Sequence, residues 1–301
     1  KEINQTTNMK VLLLFKPKTP LVNTQQNILP NGMLYMGALL LSKNIDTEVI
    51  NLSNKDQEEC KNIIKEKKPS IVGISCYTFN RHECIKLAEL VKEIDKNSVV
   101  AFGGPHASIM ANQLLRNSKS IDVIIFNEGE ITFLELVQKL EKNQTYSDVQ
   151  GIIYRKGSNI IKNELRKPLI NLDELPIPAP YFKYKRLITS RGCPGKCIFC
   201  DTPRLWGQRI RFRSPTNVVD EIEILNKKYG ISFFIMSDDT FTVIKKRTIE
   251  ICKEIIKRNL KITWDCRSRV NFVCEERLRW MKKAGCVTIS YGIESGSQKM
   301  L

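Results

Sequence analysis

Cys193, Cys197 and Cys200 are the residues of this chain best suited to chemistry. They lie in the run Thr189-Ser190-Arg191-Gly192-Cys193-Pro194-Gly195-Lys196-Cys197-Ile198-Phe199-Cys200, three residues separating the first pair and two the second. Three thiolates this close can hold three corners of a cubic iron–sulfur cluster and leave the fourth iron open to a reactant. A closed structural zinc site asks for a fourth Cys or His at finger-like spacing. The next cysteine is Cys252, and the only histidines are His82 and His106. A zinc knuckle borrowing a distant ligand, or three unrelated thiols, are the competing readings.

The elements around the loop follow from periodicity. Arg186–Thr189 reads as a strand feeding it. Beyond it come a helix over Asn217–Lys228 started by Ser214-Pro215, a strand over Ser232–Met236, a helix over Lys245–Arg258, a strand over Ile262–Asp265, a helix over Glu275–Lys283 and a strand over Val287–Tyr291. This repeat predicts part of a (β/α) barrel, whose reaction face is the carboxyl end of its strands. Polar residues gather there: Ser237-Asp238-Asp239, then Arg267 and Arg269, then Gly292-Ile293-Glu294-Ser295-Gly296. Strand-end charges that merely face solvent are the bland alternative.

The first half alternates in the same way. Strands are predicted at Lys10–Phe15, Thr47–Leu52, Ile71–Tyr77, Val99–Phe102 and Val123–Phe126. Helices are predicted at Met33–Lys43, Gln57–Lys67, Arg81–Ile94, near Ile109–Leu115 and up to Leu140. Five such units suggest an open α/β sheet, flavodoxin- or Rossmann-like and doubly wound, in the order 2-1-3-4-5, with ligand at the carboxyl ends of the strands. A hairpin over Val149–Tyr154 and Ile160–Lys162, then Leu175-Pro176-Ile177-Pro178-Ala179-Pro180, reads as a connector. The expected division is residues 1–145, a linker over 146–185, and 186–301.

Composition is that of a globular protein, with 42% hydrophobic and 27% charged residues. No apolar run is long enough for a membrane span. Ten cysteines without a secretion signal point to the reducing cytoplasm. Residues 1–145 hold 18 Lys and Arg against 16 Asp and Glu, whereas residues 146–301 hold 30 against 16. Arg204, Arg209, Arg211 and Arg213 crowd the segment after the cysteines. That excess suits an anionic substrate group, an acidic electron-donor protein or RNA, or else a solvated basic face. Nucleic acid is not expected, because no basic module interleaved with aromatics is present.

The cysteine loop, with Phe199 one place before Cys200, resembles the signature of the radical-SAM superfamily. The resemblance implies a [4Fe–4S] cluster on Cys193, Cys197 and Cys200, and S-adenosylmethionine contacted by Phe199, Asp238, Asp239, Arg269, Glu294 and Ser295; Arg267 matches less well. The first half, through Leu29-Pro30-Asn31-Gly32, Gly73-Ile74-Ser75 and its glycine turns, is similar to the cobalamin-binding domain of a radical-SAM subfamily. It implies cobalamin contacts at Ser75, Gly103, Gly104, Pro105, His106, Glu128 and Gly129. The Asp-x-His-x-x-Gly motif whose His binds cobalt is absent: Asn80 and Gly104 stand two places before His82 and His106.

The implied activity is reductive cleavage of S-adenosylmethionine to a 5′-deoxyadenosyl radical, then methyl transfer to an unactivated carbon of a small molecule or natural product. A flavodoxin- or ferredoxin-type donor is the implied electron source. A methylthiotransferase-like modifier of RNA or protein, a radical cyclase or oxidase, and a non-catalytic iron–sulfur or cobalamin sensor are the alternatives. The family's radical-SAM domain has six β/α units. With only four strands read here and Lys1 at the start, the chain is expected to be a fragment.

Overall fold

A computed structural model of the chain describes residues 9–17, 28–207, 209–297 and 299–300. It divides into two compact units, Lys1–Pro168 and Leu169–Leu301.

The first unit is built on parallel strands β1 (Val11–Phe15), β2 (Thr47–Asn51), β3 (Ile71–Ser75), β4 (Val99–Gly103) and β5 (Val123–Ile125) in the order β2-β1-β3-β4-β5. Successive side chains of a strand point to opposite faces, so each strand supplies two cores. Leu12, Leu14, Val72, Ile74, Val100 and Phe102 pack on one face, against α2 (Gln57–Lys67), α3 (Arg81–Ile94) and α5 (Ala111–Asn117). Val11, Leu13, Phe15, Ile71, Ala101 and Val123 pack on the other, against α1 (Asn31–Ser42) and α6 (Glu130–Glu141). The near-continuous apolar strands of the sequence are those of a sheet covered on both sides. Local signals fix the helix ends: Asp56 accepts from the Glu59 N–H at 2.8 Å, and Glu59 returns the bond to the Asp56 N–H at 2.9 Å.

Two expectations need correction. The hairpin β6 (Ile152–Lys156) and β7 (Asn159–Lys162) is not a linker. It adds antiparallel to β5 and completes a seven-stranded sheet. The helix expected near Ile109–Leu115 is two, α4 (Pro105–Ile109) and α5, meeting at Met110.

In the second unit β8 (Arg186–Leu187), β11 (Phe233–Met236), β12 (Thr263–Ser268) and β13 (Cys286–Tyr291) form an open parallel sheet in the order β13-β12-β11-β8. The strand predicted over Arg186–Thr189 stops at Leu187. The chain then turns through β9 (Ser190–Arg191), which pairs antiparallel with β10 (Arg211–Phe212) and closes the base of the cysteine loop. The short helix α7 (Thr202–Trp206) follows the cysteine loop, and helices α8 (Pro215–Tyr229), α9 (Lys245–Lys257) and α10 (Glu275–Lys283) alternate with the parallel strands. Ser214 caps α8 by accepting from the Asn217 N–H at 3.2 Å, and Gly230 ends it in the left-handed conformation. Trp264 anchors the core, its indole donating to the Ala284 carbonyl at 2.8 Å. No helix among the described residues is long and apolar enough to cross a membrane.

Candidate cofactor sites at the strand ends

In the first unit, Ser75 and Gly103 end β3 and β4 as register partners. Gly104 follows at φ +96°. A Cβ there would stand 2.9 Å from the Cys76 carbonyl oxygen and 3.4 Å from the Ser75 hydroxyl. The sequence-predicted Ser75, Gly103, Gly104, Pro105 and His106 are thus brought together. The loop is held by the Cys76 N–H donating to the Gly103 carbonyl at 2.8 Å, and the His106 N–H to the Cys76 carbonyl at 3.2 Å. A Cβ on Gly103 would meet no atom of the described residues within 4 Å. Glu128 and Gly129 follow β5, their loop tied to α4 by the Asn127 N–H donating to the Ser108 hydroxyl at 3.0 Å. The His106 Nδ1 lies 3.1 Å from the Thr78 hydroxyl. Partial burial, then Arg81 and His82, push the His106 imidazole below its usual range, so it is neutral at pH 7.

Gly104→Ala is expected to destabilise the first unit by about 2 kcal/mol, since any side chain there is strained and collides with backbone. The check is urea unfolding by far-UV circular dichroism. Tryptophan fluorescence does not serve here, because Trp206, Trp264 and Trp280 all belong to the second unit.

In the second unit the cysteine loop leaves the carboxyl end of β8. A Cβ on Gly195 would lie 3.3 Å from the Cys193 sulfur, 3.7 Å from that of Cys197 and 2.7 Å from Arg269 Nη1. Glycine leaves a hollow between two thiols where a side chain would stand. The Cys200 N–H donates to the Cys197 carbonyl at 3.2 Å, which turns the chain back on itself. Cys200 and Phe199 are exposed. Among the described residues no three His, Cys, Asp or Glu side chains close on one ion. A cubic cluster instead takes one thiolate at each of three irons, and this soft donor set on an open loop fits such a group. Cys60, Cys76 and Cys84, which a second cluster would need, are buried. A hydrogen bond with Cys76, and burial, hold the Cys84 thiol well above its usual range and so against metal binding.

Residues 17–137 match the B12 binding domain family, and residues 187–301 match the radical SAM superfamily. An uncharacterized methyltransferase of Pyrococcus horikoshii is 35% identical over 97% of this chain and 67% of its own length. The chain belongs to the cobalamin-binding radical-SAM proteins. An anaerobic magnesium-protoporphyrin IX monomethyl ester cyclase of Rubrivivax gelatinosus is 30% identical over 85% of this chain, which spans half of that relative. The solved cobalamin-dependent radical-SAM enzyme OxsB, with aqua-cobalamin and S-adenosylmethionine bound, shares the fold at a TM-score of 0.83 and 23% identity, over 97% of this chain and 45% of that one.

Within the radical-SAM unit, the two aspartates after β11 part ways. Asp238 is 1% exposed, and its carboxylate accepts four hydrogen bonds. They come from the Thr189 N–H (2.6 Å) and hydroxyl (2.5 Å) and the Ser190 N–H (3.1 Å) and hydroxyl (2.7 Å). Its acceptor sites are spent on the corner that launches the cysteine loop. Around it, Arg247 Nη2 donates to the Thr189 carbonyl at 2.7 Å and Arg213 Nη1 to the Ile188 carbonyl at 3.0 Å. Arg213 also pairs with buried Glu221. Sequence reasoning missed this network. Two of its four crowded arginines, Arg211 and Arg213, are buried structural residues, while Arg204 and Arg209 are exposed.

Asp239 is exposed, beside Thr202 and Arg267. Desolvation by the protein around it, then the Asp238 charge, raise its carboxyl above the ordinary range; Thr202 and Arg267 oppose them. A carboxyl with a raised folded pKa loses stability as pH climbs through that value, because the folded state resists the charge. Asp239→Asn should therefore raise the melting temperature at pH 7, by the equivalent of less than about 1 kcal/mol given its exposure. The gain should vanish below the ordinary Asp value of 3.8. Arg269, at the end of β12, reaches the cysteine loop with Nη1 3.8 Å from the Cys197 sulfur. Glu294 and Ser295 follow the end of β13, Glu294 exposed and in the left-handed conformation at φ +62°.

Proposed function

We propose that this protein performs cobalamin-dependent radical-SAM chemistry, most directly methyl transfer to an unactivated carbon of a small molecule. The observation that carries the reading is the open loop of Cys193, Cys197 and Cys200 at the carboxyl end of a parallel sheet, in one chain with a glycine-edged sheet matching the B12 binding domain family. When bound, a [4Fe–4S] cluster with S-adenosylmethionine supplies a 5′-deoxyadenosyl radical, and cobalamin supplies a methyl group.

The chain's own residues do the rest. The three thiolates hold three irons. Asp239 and Glu294, both open to solvent, suit the ammonium and hydroxyl groups of S-adenosylmethionine. Arg269 suits its carboxylate, Ser295 a further polar group, and the exposed Phe199 ring the adenine. Ser75, Gly103, Gly104, Pro105, His106, Glu128 and Gly129 cradle cobalamin, with neutral His106 able to accept as well as donate. A low-potential flavodoxin- or ferredoxin-type protein in the cytoplasm is the proposed electron source.

Anaerobic reconstitution with iron, sulfide and cobalamin tests the reading. About four irons per chain, a cobalamin absorption spectrum and cleavage of S-adenosylmethionine to 5′-deoxyadenosine support it. About eight irons favour the methylthiotransferase alternative, and a loaded chain that leaves S-adenosylmethionine intact is a sensor.

A further inference from the structure

Thr240 is 3% exposed, and its hydroxyl lies 3.5 Å from the Cys193 sulfur. The same hydroxyl is 2.8 Å from the Asp239 carbonyl oxygen. It has one proton and two acceptors to choose from. While Cys193 is a thiol either atom can donate. Once Cys193 is an iron-bound thiolate it has no proton, and the Thr240 hydroxyl is the only donor of the pair. The Gly195 N–H lies 3.4 Å from the same sulfur, and Arg269 Nη1 3.8 Å from that of Cys197. Donors thus converge on two of the three cluster sulfurs, one of them a buried hydroxyl from a different strand end.

We propose that Thr240 and Arg269 are tuning residues that donate to the Cys193 and Cys197 thiolates and raise the reduction potential of the cluster. Reduction adds one electron and no proton, so negative charge on the sulfurs increases. A donor aimed at sulfur stabilises the reduced form more than the oxidised one. Burial of Thr240 strengthens the effect, since little water competes for the bond. The inference rests on the cluster reading of the loop proposed above.

The test is an EPR-monitored redox titration of the reconstituted chain with dithionite, without S-adenosylmethionine. Thr240→Val keeps the side-chain shape and removes the donor. It should still bind about four irons, while one-electron reduction becomes about tenfold less favourable, a shift of about 59 mV to more negative potential. Thr240→Ser should restore the wild-type potential. Arg269→Gln, at a half-exposed position, should shift the potential in the same direction and carries the test if Thr240→Val does not fold. A full cluster at unchanged potential in these variants overturns this inference alone. A wild-type chain that assembles no cluster overturns the functional reading and this inference together.

Discussion

Cys197→Ala is expected to take the chain from about four irons to less than about one, because a cubic cluster on two thiolates and solvent is not retained. Formation of 5′-deoxyadenosine should fall by at least about a thousandfold, equivalent to roughly 4 kcal/mol of barrier. Fold stability should hardly change, since Cys197 lies on a loop and is only partly buried. Iron analysis and chromatography of the nucleoside product read the two effects. Cys274→Ala is the matched control. Cys274 is exposed and lies outside the loop, and its loss should alter neither readout.

Asp238→Ala carries the other large effect, on stability. It strands two backbone N–H groups that cannot turn away, leaves two hydroxyls to find new partners, and removes the negative charge beside buried Arg247. Burial already pushes the Arg247 guanidinium below its usual range, with Asp238 opposing. Breaking such a buried arrangement from one side costs about 3–5 kcal/mol. Asp238→Asn keeps one acceptor oxygen for the N–H groups and offers an amide to hydroxyls that can accept, so about 1–2 kcal/mol is expected. Tryptophan fluorescence in urea reports on this unit alone. A matching fall in iron uptake would follow from a loosened Thr189–Ser190 corner. If Asp238→Ala unfolds at the wild-type midpoint, the carboxylate does not hold the loop.

Much of this was legible in the sequence because the signals were local. Apolar runs of strand length between helical ones, joined by short loops, predict the 2-1-3-4-5 order, and the structure has it. The hairpin's place was not legible. Residues 152–162 announce a strand pair, but nothing in them says that β6 will find the free edge of β5. The split at Met110 was hidden for a similar reason: Pro105 begins a helix one loop earlier than the apolar spacing suggests. The parting of Asp238 and Asp239 did have a signal. Neighbours on extended chain leaving a strand point to opposite sides, so one of an adjacent pair must turn inward if the other faces a ligand. Which one faces inward depends on Thr189 and Ser190, 49 and 48 residues away. Thr240 carried no signal, since its neighbour Cys193 comes from another strand end.

The packing of the remaining cysteines bears on how the metal centre can be built. Cys60, Cys76, Cys84, Cys252, Cys266 and Cys286 are sealed in the two cores; Cys193, Cys197, Cys200 and Cys274 are not. Iron and sulfide arriving from solution therefore meet one trio and a single competitor outside that loop, Cys274, and burial holds the Cys252 thiol up at about 12, protonated and inert. Folding before loading sorts the ten sulfurs, so the order of events in assembly is itself a source of fidelity.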